Sequence, residues 1–244
     1  MLQPMLAGLD ALVTGGGTGI GAACAAALTA AGASVTIMGR REEPLRATFK
    51  AGAAAGWMVG DVTAPPVLPP FAILVNAAGC AQSAPFLKTD PTVFDWLWQV
   101  NVMGAVAVTQ AVLPAMLAAG FGRVVNIAST AALKGYPYVA AYAASKHGLL
   151  GLTRALAQEF STSGVTINAV CPGFTDTDIV GESVARIMAK TGRSREQALA
   201  ELTRHNPQRR LVRPAEVAQA VLMLCAPGAG AINGQAIAVD GGET

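Results

Sequence analysis

The sequence predicts an α/β fold, a doubly wound parallel sheet of about seven strands in one domain covering residues 1–244. Three observations carry that prediction. Short apolar runs recur near 11–14, 34–38, 57–60, 72–76, 123–128, 165–170 and 236–239, with helical stretches between most of them. A glycine-rich turn stands between the first run and an alanine-rich helix. The chain has 244 residues, 52% hydrophobic and 13% charged, with a mean hydropathy of +0.45, which suits one large core. In such a sheet a ligand sits at the carboxyl ends of the strands.

The first strand, Ala11-Leu12-Val13, runs into Thr14-Gly15-Gly16-Gly17-Thr18-Gly19-Ile20-Gly21, and the helix then continues to about Ala31. Glycines at 15, 19 and 21 allow a tight turn, close backbone approach to a phosphate and close packing of helix on strand. The helix start offers free N–H groups and a positive dipole end to a pyrophosphate. The second strand, Ser34 to Met38, ends in Gly39-Arg40-Arg41, with no acid there to hold a ribose diol. Two guanidiniums fit a 2′-phosphate, so the strand end points to NADP(H) ahead of NAD(H). The plainer alternative is an arginine solvated beside Glu42 and Glu43.

Between Asp61 and Asn76 lie only fourteen residues, among them Pro65, Pro66, Pro69 and Pro70. These prolines forbid a regular helix and favour extended structure. About ten extended residues at ~3.3 Å each bridge the return across the sheet. The segment 62–71 is therefore expected to be a strap in place of a crossover helix. Further on, Asp95-Trp96-Leu97-Trp98 opens a long apolar helix through Ala118, which Pro114 is expected to kink. Ser129 ends the strand-like run Arg123 to Ala128, and Tyr142 and Lys146 follow, four residues apart and so on one face of a helix. An ammonium beside a phenol favours the phenolate, and the Ser hydroxyl is placed to hold a carbonyl or alcohol oxygen.

On these motifs the chain resembles the short-chain dehydrogenases/reductases over nearly its whole length. The resemblance rests on Gly15, Gly19 and Gly21, on Asp61, on Asn76-Ala77-Ala78-Gly79, on Asn101, Ser129, Tyr142 and Lys146, and on Pro172-Gly173, Thr177 and Val239-Asp240-Gly241-Gly242. It implies a Rossmann-type fold and a catalytic tetrad of Asn101, Ser129, Tyr142 and Lys146. In that family Tyr is the general acid/base, Ser polarises the carbonyl, Lys lowers the Tyr pKa and holds the ribose, and Asn positions a water. The NADP(H) site it implies comprises Gly15, Gly17, Thr18, Gly19, Ile20 and Gly21, with Arg40 and Arg41 at the phosphate. Asp61 and Val62 would hold the adenine, with Asn76, Ala77, Ala78 and Gly79 on the adenosine side. Thr177 would meet the nicotinamide amide and Lys146 its ribose, with Tyr142, Pro172, Gly173 and Thr175 also in the cofactor site. The most similar members are 3-oxoacyl reductases. The resemblance also implies that the long apolar helix and the one bearing Tyr142 pair with their copies in a second subunit, so a homotetramer is expected first and a dimer second. Ala77, where many relatives carry a second Asn, and the proline strap depart from the pattern.

Residues 174–213 read as a substrate lid. From Arg186 onward eight cations, Arg186, Lys190, Arg193, Arg195, Arg204, Arg209, Arg210 and Arg213, face only Glu196 and Glu201. That strip suggests an anionic handle such as the phosphates of coenzyme A or an acidic carrier protein; the alternative is a solvated helix, Ser194 to Arg204. Tyr136, Pro137 and Tyr138, with Phe174 and Gln82, are candidate pocket walls. His147 points away from Lys146 around the helix, and His205 lies in the lid. Cys24, Cys80, Cys171 and Cys225 form no Cys-x-x-Cys and read as free thiols in a reducing cytoplasm. No zinc-ligand spacing, nucleic-acid module, signal peptide or apolar run of membrane length is read from the sequence, and the low surface charge favours a homo-oligomer. The expected activity is interconversion of a carbonyl and a secondary alcohol, with a 3-oxoacyl thioester as first substrate. The alternatives are a free cyclic or aryl ketone, and an NADPH-sensing protein without turnover.

Overall fold

Seven runs rich in β-branched and apolar side chains become seven parallel strands in the computed structural model, which describes residues 4–244. The strands are β1 (Asp10–Thr14), β2 (Ser34–Gly39), β3 (Gly56–Val59), β4 (Ile73–Asn76), β5 (Gly122–Ile127), β6 (Val165–Pro172) and β7 (Ala236–Val239). Their order across the sheet is β3-β2-β1-β4-β5-β6-β7. Strands β4, β5 and β6 are buried at every position, which explains why they read as continuous apolar runs without alternation. The chain direction across the sheet reverses between β1 and β4, and a crevice opens there at the carboxyl ends.

One face of the sheet is covered by α1 (Gly19–Ala30), α2 (Glu42–Lys50) and α8 (Pro214–Cys225), around a core that includes Val13, Leu28, Val35, Leu45 and Val221. The other face is covered by α4 (Gly104–Ala119) and α5 (Ala140–Glu159), packed on Leu74, Val124 and Ile167. Where a third helix would complete this face, the expected strap is present: β3 connects to β4 with no helix between them. Phe71 and Leu68 turn inward beside Met38 and Leu74, while Val67 stands 99% exposed at the apex. Hydrophobic cover is thus supplied by two side chains of an extended segment.

The long apolar helix carries a feature the sequence does not mark. Pro114 lies inside α4, and Gln99–Met103 forms a π-helical turn between α3 (Pro91–Trp98) and α4. Such turns recur at functional sites because the extra residue re-aims its neighbours. Pro91–Ala119 forms 29 helical residues that include an 18-residue window of mean hydropathy 1.8, long and apolar enough by those measures to cross a bilayer, although polar residues such as Gln99, Asn101 and Gln110 leave no uninterrupted apolar run of that length. Here Val108, Val112 and Met116 bury its inner face against the sheet, and Trp96, Trp98 and Met103 lie exposed. The remaining helices are α6 (Asp178–Thr191) and α7 (Arg195–Thr203), which form the lid around Val180, Val184 and Ala198.

Candidate active site

A cleft of about 260 Å³ opens at the reversal point. It is lined by Gly15, Gly17, Thr18, Gly19, Ile20 and Gly21 from the first turn, by Arg40 and Arg41 after β2, and by Asp61 and Val62 after β3. Ala77, Ala78, Gly79 and Thr177 line it as well, whereas Tyr142, Lys146, Pro172 and Gly173 of the expected set do not. Gly15 has φ +66, and a Cβ on it would lie 2.8 Å from the Ala78 nitrogen, so the turn and the segment after β4 touch through backbone. The α1 N-terminus faces this space with no side-chain cap on its first N–H groups. Asp61 Oδ1 accepts from Thr63 N at 2.9 Å and Thr63 Oγ1 at 2.8 Å; these bonds, with Arg40 nearby, hold its carboxyl below the ordinary range. The cradle fits a dinucleotide carrying a 2′-phosphate, because its rim has two guanidiniums and its floor is backbone.

Several cleft residues are not singled out by the sequence: Pro44, Leu45, Gly60, Val100, Asp178 and Ile179. Their only signal is proximity to the motifs. Asn76, by contrast, does not line the cleft. It is buried, and its Nδ2 donates to Asn126 Oδ1 at 2.9 Å and Thr109 Oγ1 at 3.2 Å, which ties β4, β5 and α4 together beneath the site. Thr175 is also turned inward, with Oγ1 donating to Gly173 O at 2.9 Å.

Two of the four predicted polar residues, Asn101 and Lys146, stand beside Gly79, and Tyr142 adjoins Lys146. A Cβ on Gly79 would meet Asn101 Oδ1 at 3.1 Å and Lys146 Nζ at 3.5 Å. Asn101 comes from the π turn and is 2% exposed. Its Oδ1 accepts from Cys80 N at 2.9 Å, and its Nδ2 donates to Cys80 O and to Ser145 Oγ, both at 3.0 Å. Lys146 is 5% exposed; its Nζ donates to Ile127 O at 2.9 Å and sits 5.8 Å from the centre of the Tyr142 ring. Ser129 Oγ accepts from Ala131 N at 3.1 Å and lies close enough to the Tyr142 phenol to favour its ionised form.

Burial dominates the titration of this cluster. It raises the Tyr142 phenol above its ordinary 10, with Ser129 acting in the opposite direction. The expected lowering of Tyr142 by Lys146 is not found: desolvation sets the direction, and Ser129 is the group that acts against it. Burial also pushes the Lys146 ammonium down to about 8. Cys80, close enough to be felt by both groups, is pushed up to about 11 by the same cause and so stays a neutral thiol.

The lid brings Thr177, Asp178 and Ile179 to the cleft, but most of its cations are already engaged. Arg193 and Arg204 pair with Glu201, while Arg210 and Arg213 share Glu216. Asp176, Asp178 and Glu182 further offset the strip's charge at its start. Arg186 differs: its Nη1 donates to Ser83 Oγ at 2.8 Å, across to the loop beyond Gly79. Tyr136 and Phe174 meet edge to face at 6.4 Å, as candidate walls, whereas Gln82 and Tyr138 are exposed. His147 bonds back to Ala143 O at 2.9 Å, and His205 to Arg204 Nε at 2.8 Å; both are exposed. Among the described residues no group of His, Cys, Asp and Glu is arranged to hold a metal.

Residues 15–244 match a family model described as enoyl-(acyl carrier protein) reductase. The chain is 35% identical to an acetoacetyl-CoA reductase of Shinella zoogloeoides over 96% of this chain and 97% of that protein. It is 33% identical to an A-factor type gamma-butyrolactone 1'-reductase of Streptomyces virginiae, over 99% and 98%. Among solved structures it superposes on a single-residue variant of the actinorhodin polyketide ketoreductase with NADPH at a TM-score of 0.90, with 36% identity and coverage of 96% and 97%. Levodione reductase gives a TM-score of 0.88 at 28% identity, covering 98% of each chain.

Proposed function

The chain belongs to the short-chain dehydrogenase/reductase family, and we propose that it reduces a 3-oxoacyl thioester to the 3-hydroxyacyl product with NADPH. It is an NADP(H)-dependent oxidoreductase acting between a carbonyl and a secondary alcohol. The observation that carries the reading is that Asn101 and Lys146 stand beside Gly79, a lining residue of the dinucleotide cleft, with Tyr142 and Ser129 next to them. When bound, NADPH supplies the hydride. Ser129 donates a hydrogen bond to the substrate oxygen, where negative charge grows, and Tyr142 delivers the proton to that same oxygen. Lys146, buried and close to the phenol, stabilises the charge Tyr142 takes on and restores its proton. Both ends of the Asn101 amide are committed to Cys80 and Ser145, so it acts by holding the 76–80 segment against α5. The match to an enoyl reductase model is a likeness of fold; a hydroxyl pair aimed at one oxygen suits a carbonyl.

A handle on the substrate would meet Arg186, with Lys190 one turn further along α6, since the other arginines are largely paired. That pairing also favours a second reading, a free cyclic or aryl ketone that needs no anionic handle. A binding-only NADPH sensor has no use for Tyr142 beside Lys146. Homotetramers, or dimers, would use the exposed Trp96, Trp98 and Met103 of the helix pair α3–α4, and a cytoplasmic location suits four free thiols. The test is NADPH oxidation, followed by absorbance, with acetoacetyl-CoA and with cyclohexanone, each repeated with NADH. Turnover of the thioester with NADPH is expected, with a raised KM in Arg186→Ala. Turnover of cyclohexanone alone would establish the second reading, and preference for NADH would remove the role given to Arg40 and Arg41.

A further inference from the structure

Glu243 is a buried carboxylate that the reduction does not use. Its side chain is 2% exposed, and a left-handed glycine turn delivers it there. Gly241 and Gly242 precede it at φ 71 and 92. Asp240 holds the turn: Gly242 N donates to its Oδ1 at 2.9 Å, while Thr244 N and Oγ1 donate to its Oδ2 at 2.9 and 2.7 Å. Glu243 Oε1 then accepts from the Tyr136 hydroxyl at 2.7 Å and meets Lys134 Nζ at 3.0 Å. Its Oε2 lies near Gly173, 3.7 Å from where a Cβ would stand. One carboxylate thus joins the loop that begins at Ser129, the turn after β6 and the segment after β7.

A buried ion pair is a weak reason for stability, since desolvation offsets most of its attraction. Its effect on Tyr136 is specific. Thr130 Oγ1 lies 2.8 Å from the phenol oxygen on the other side, and burial together with Glu243 keeps the phenol protonated far above its ordinary range. The hydroxyl is therefore committed to Glu243, and the ring is fixed edge to face against Phe174 at 77°.

We infer that Glu243 is a positioning residue for substrate choice: through Tyr136 it holds an aromatic wall that selects apolar acyl or ring substituents on the carbonyl compound. This rests on the carbonyl-reductase reading above. The test uses the full chain, comparing Glu243→Ala, Glu243→Gln, Tyr136→Phe and the Glu243→Ala/Tyr136→Phe pair. Two hydrogen bonds to a charged group are at stake, so Glu243→Ala is expected to raise KM roughly tenfold. Its kcat should stay within about threefold, with NADPH affinity by fluorescence titration unchanged. Tyr136→Phe should move KM the same way, and the double variant should be no worse than Glu243→Ala, because the two act through one contact. Additive losses, an equal fall in kcat, or an unchanged KM would overturn the inference. Should Glu243→Ala fail to fold, Glu243→Gln and Tyr136→Phe carry the same comparison. The split is read with whichever carbonyl compound the unaltered protein reduces, so an inert thioester counts against the proposed substrate and not against Glu243.

Discussion

The wall of the cleft under the glycine turn is made of backbone and small residues, whereas the wall on the other side is the lid, residues 174–213. The lid reaches the cleft through Thr177, Asp178 and Ile179 and is held behind them by long side chains. In the first, Gly15 touches Ala78 through main-chain atoms, and nothing but covalent geometry and strand register sets the distance. In the second, Glu201 and Glu216 each take two arginines, and Arg186 crosses to Ser83. A wall of the first kind accepts one ligand shape and tolerates little substitution. A wall of the second kind changes its selectivity by exchanging side chains without disturbing the sheet. The chemistry sits where the two meet, and each wall can be broken separately.

The largest effect is expected at the junction. Tyr142→Phe should lower kcat by about 10²–10⁴ while NADPH binding persists, measured by turnover and fluorescence titration together. A variant that lost both would make Tyr142 a packing residue of the first wall. At the rim of that wall, replacing Arg40 and Arg41 by Ala should weaken NADPH binding by about 10- to 100-fold and leave NADH nearly unchanged. Equal losses for both nucleotides would place the arginines elsewhere than at the 2′-phosphate.

A pH experiment sharpens the junction further. Lys146 holds its proton up to an ordinary 10.5 in the unfolded chain but releases it near 8 when folded. Between those values the unfolded state binds more protons, so this residue's contribution to stability rises with pH across about 8 to 10.5. Denaturant melts of the unaltered protein and of Lys146→Met should therefore differ by an amount that shifts in favour of the unaltered protein across that window. A pH-independent difference would mean that Lys146 is not desolvated. The smallest effect belongs to the second wall: Arg204→Ala removes an exposed pair with Glu201 and should change stability by less than about 0.5 kcal/mol, with kcat/KM within about twofold. A large fall in kcat/KM would show that the paired arginines contact substrate after all.

The same contrast explains what can be read from the sequence. The seven strands are legible because each is a short, mostly apolar run between helical stretches, and the glycine turn because φ +66 at Gly15 excludes most residue types. Tyr142 and Lys146 share a helical face at a fixed spacing, so their meeting is legible too. The π turn that presents Asn101 is not, since Gln99–Met103 carries no proline or glycine to mark it. Nor is the inward turn of Asn76, because a polar residue at a strand end reads as a ligand contact whether it faces the cleft or the core. Glu243 and Tyr136 lie over a hundred residues apart, and no local pattern relates them. The lid's charge is legible as composition only. Which arginines are neutralised depends on how α6 and α7 fold over α8.

The proline strap has a kinetic consequence. Parallel pairing of β4 with β1 must wait until the chain has returned from the edge of the sheet, and such non-local steps are what slow the folding of these topologies. Gly60 to Ala72 is the whole tether between β3 and β4. Each doubling of a tether adds about 0.6 kcal/mol of closure entropy, and four prolines leave this one with fewer conformations to lose than its length suggests. The return to β4 is thus a short, stiff closure, and this half of the sheet is set to assemble ahead of the half that must await α4 and α5.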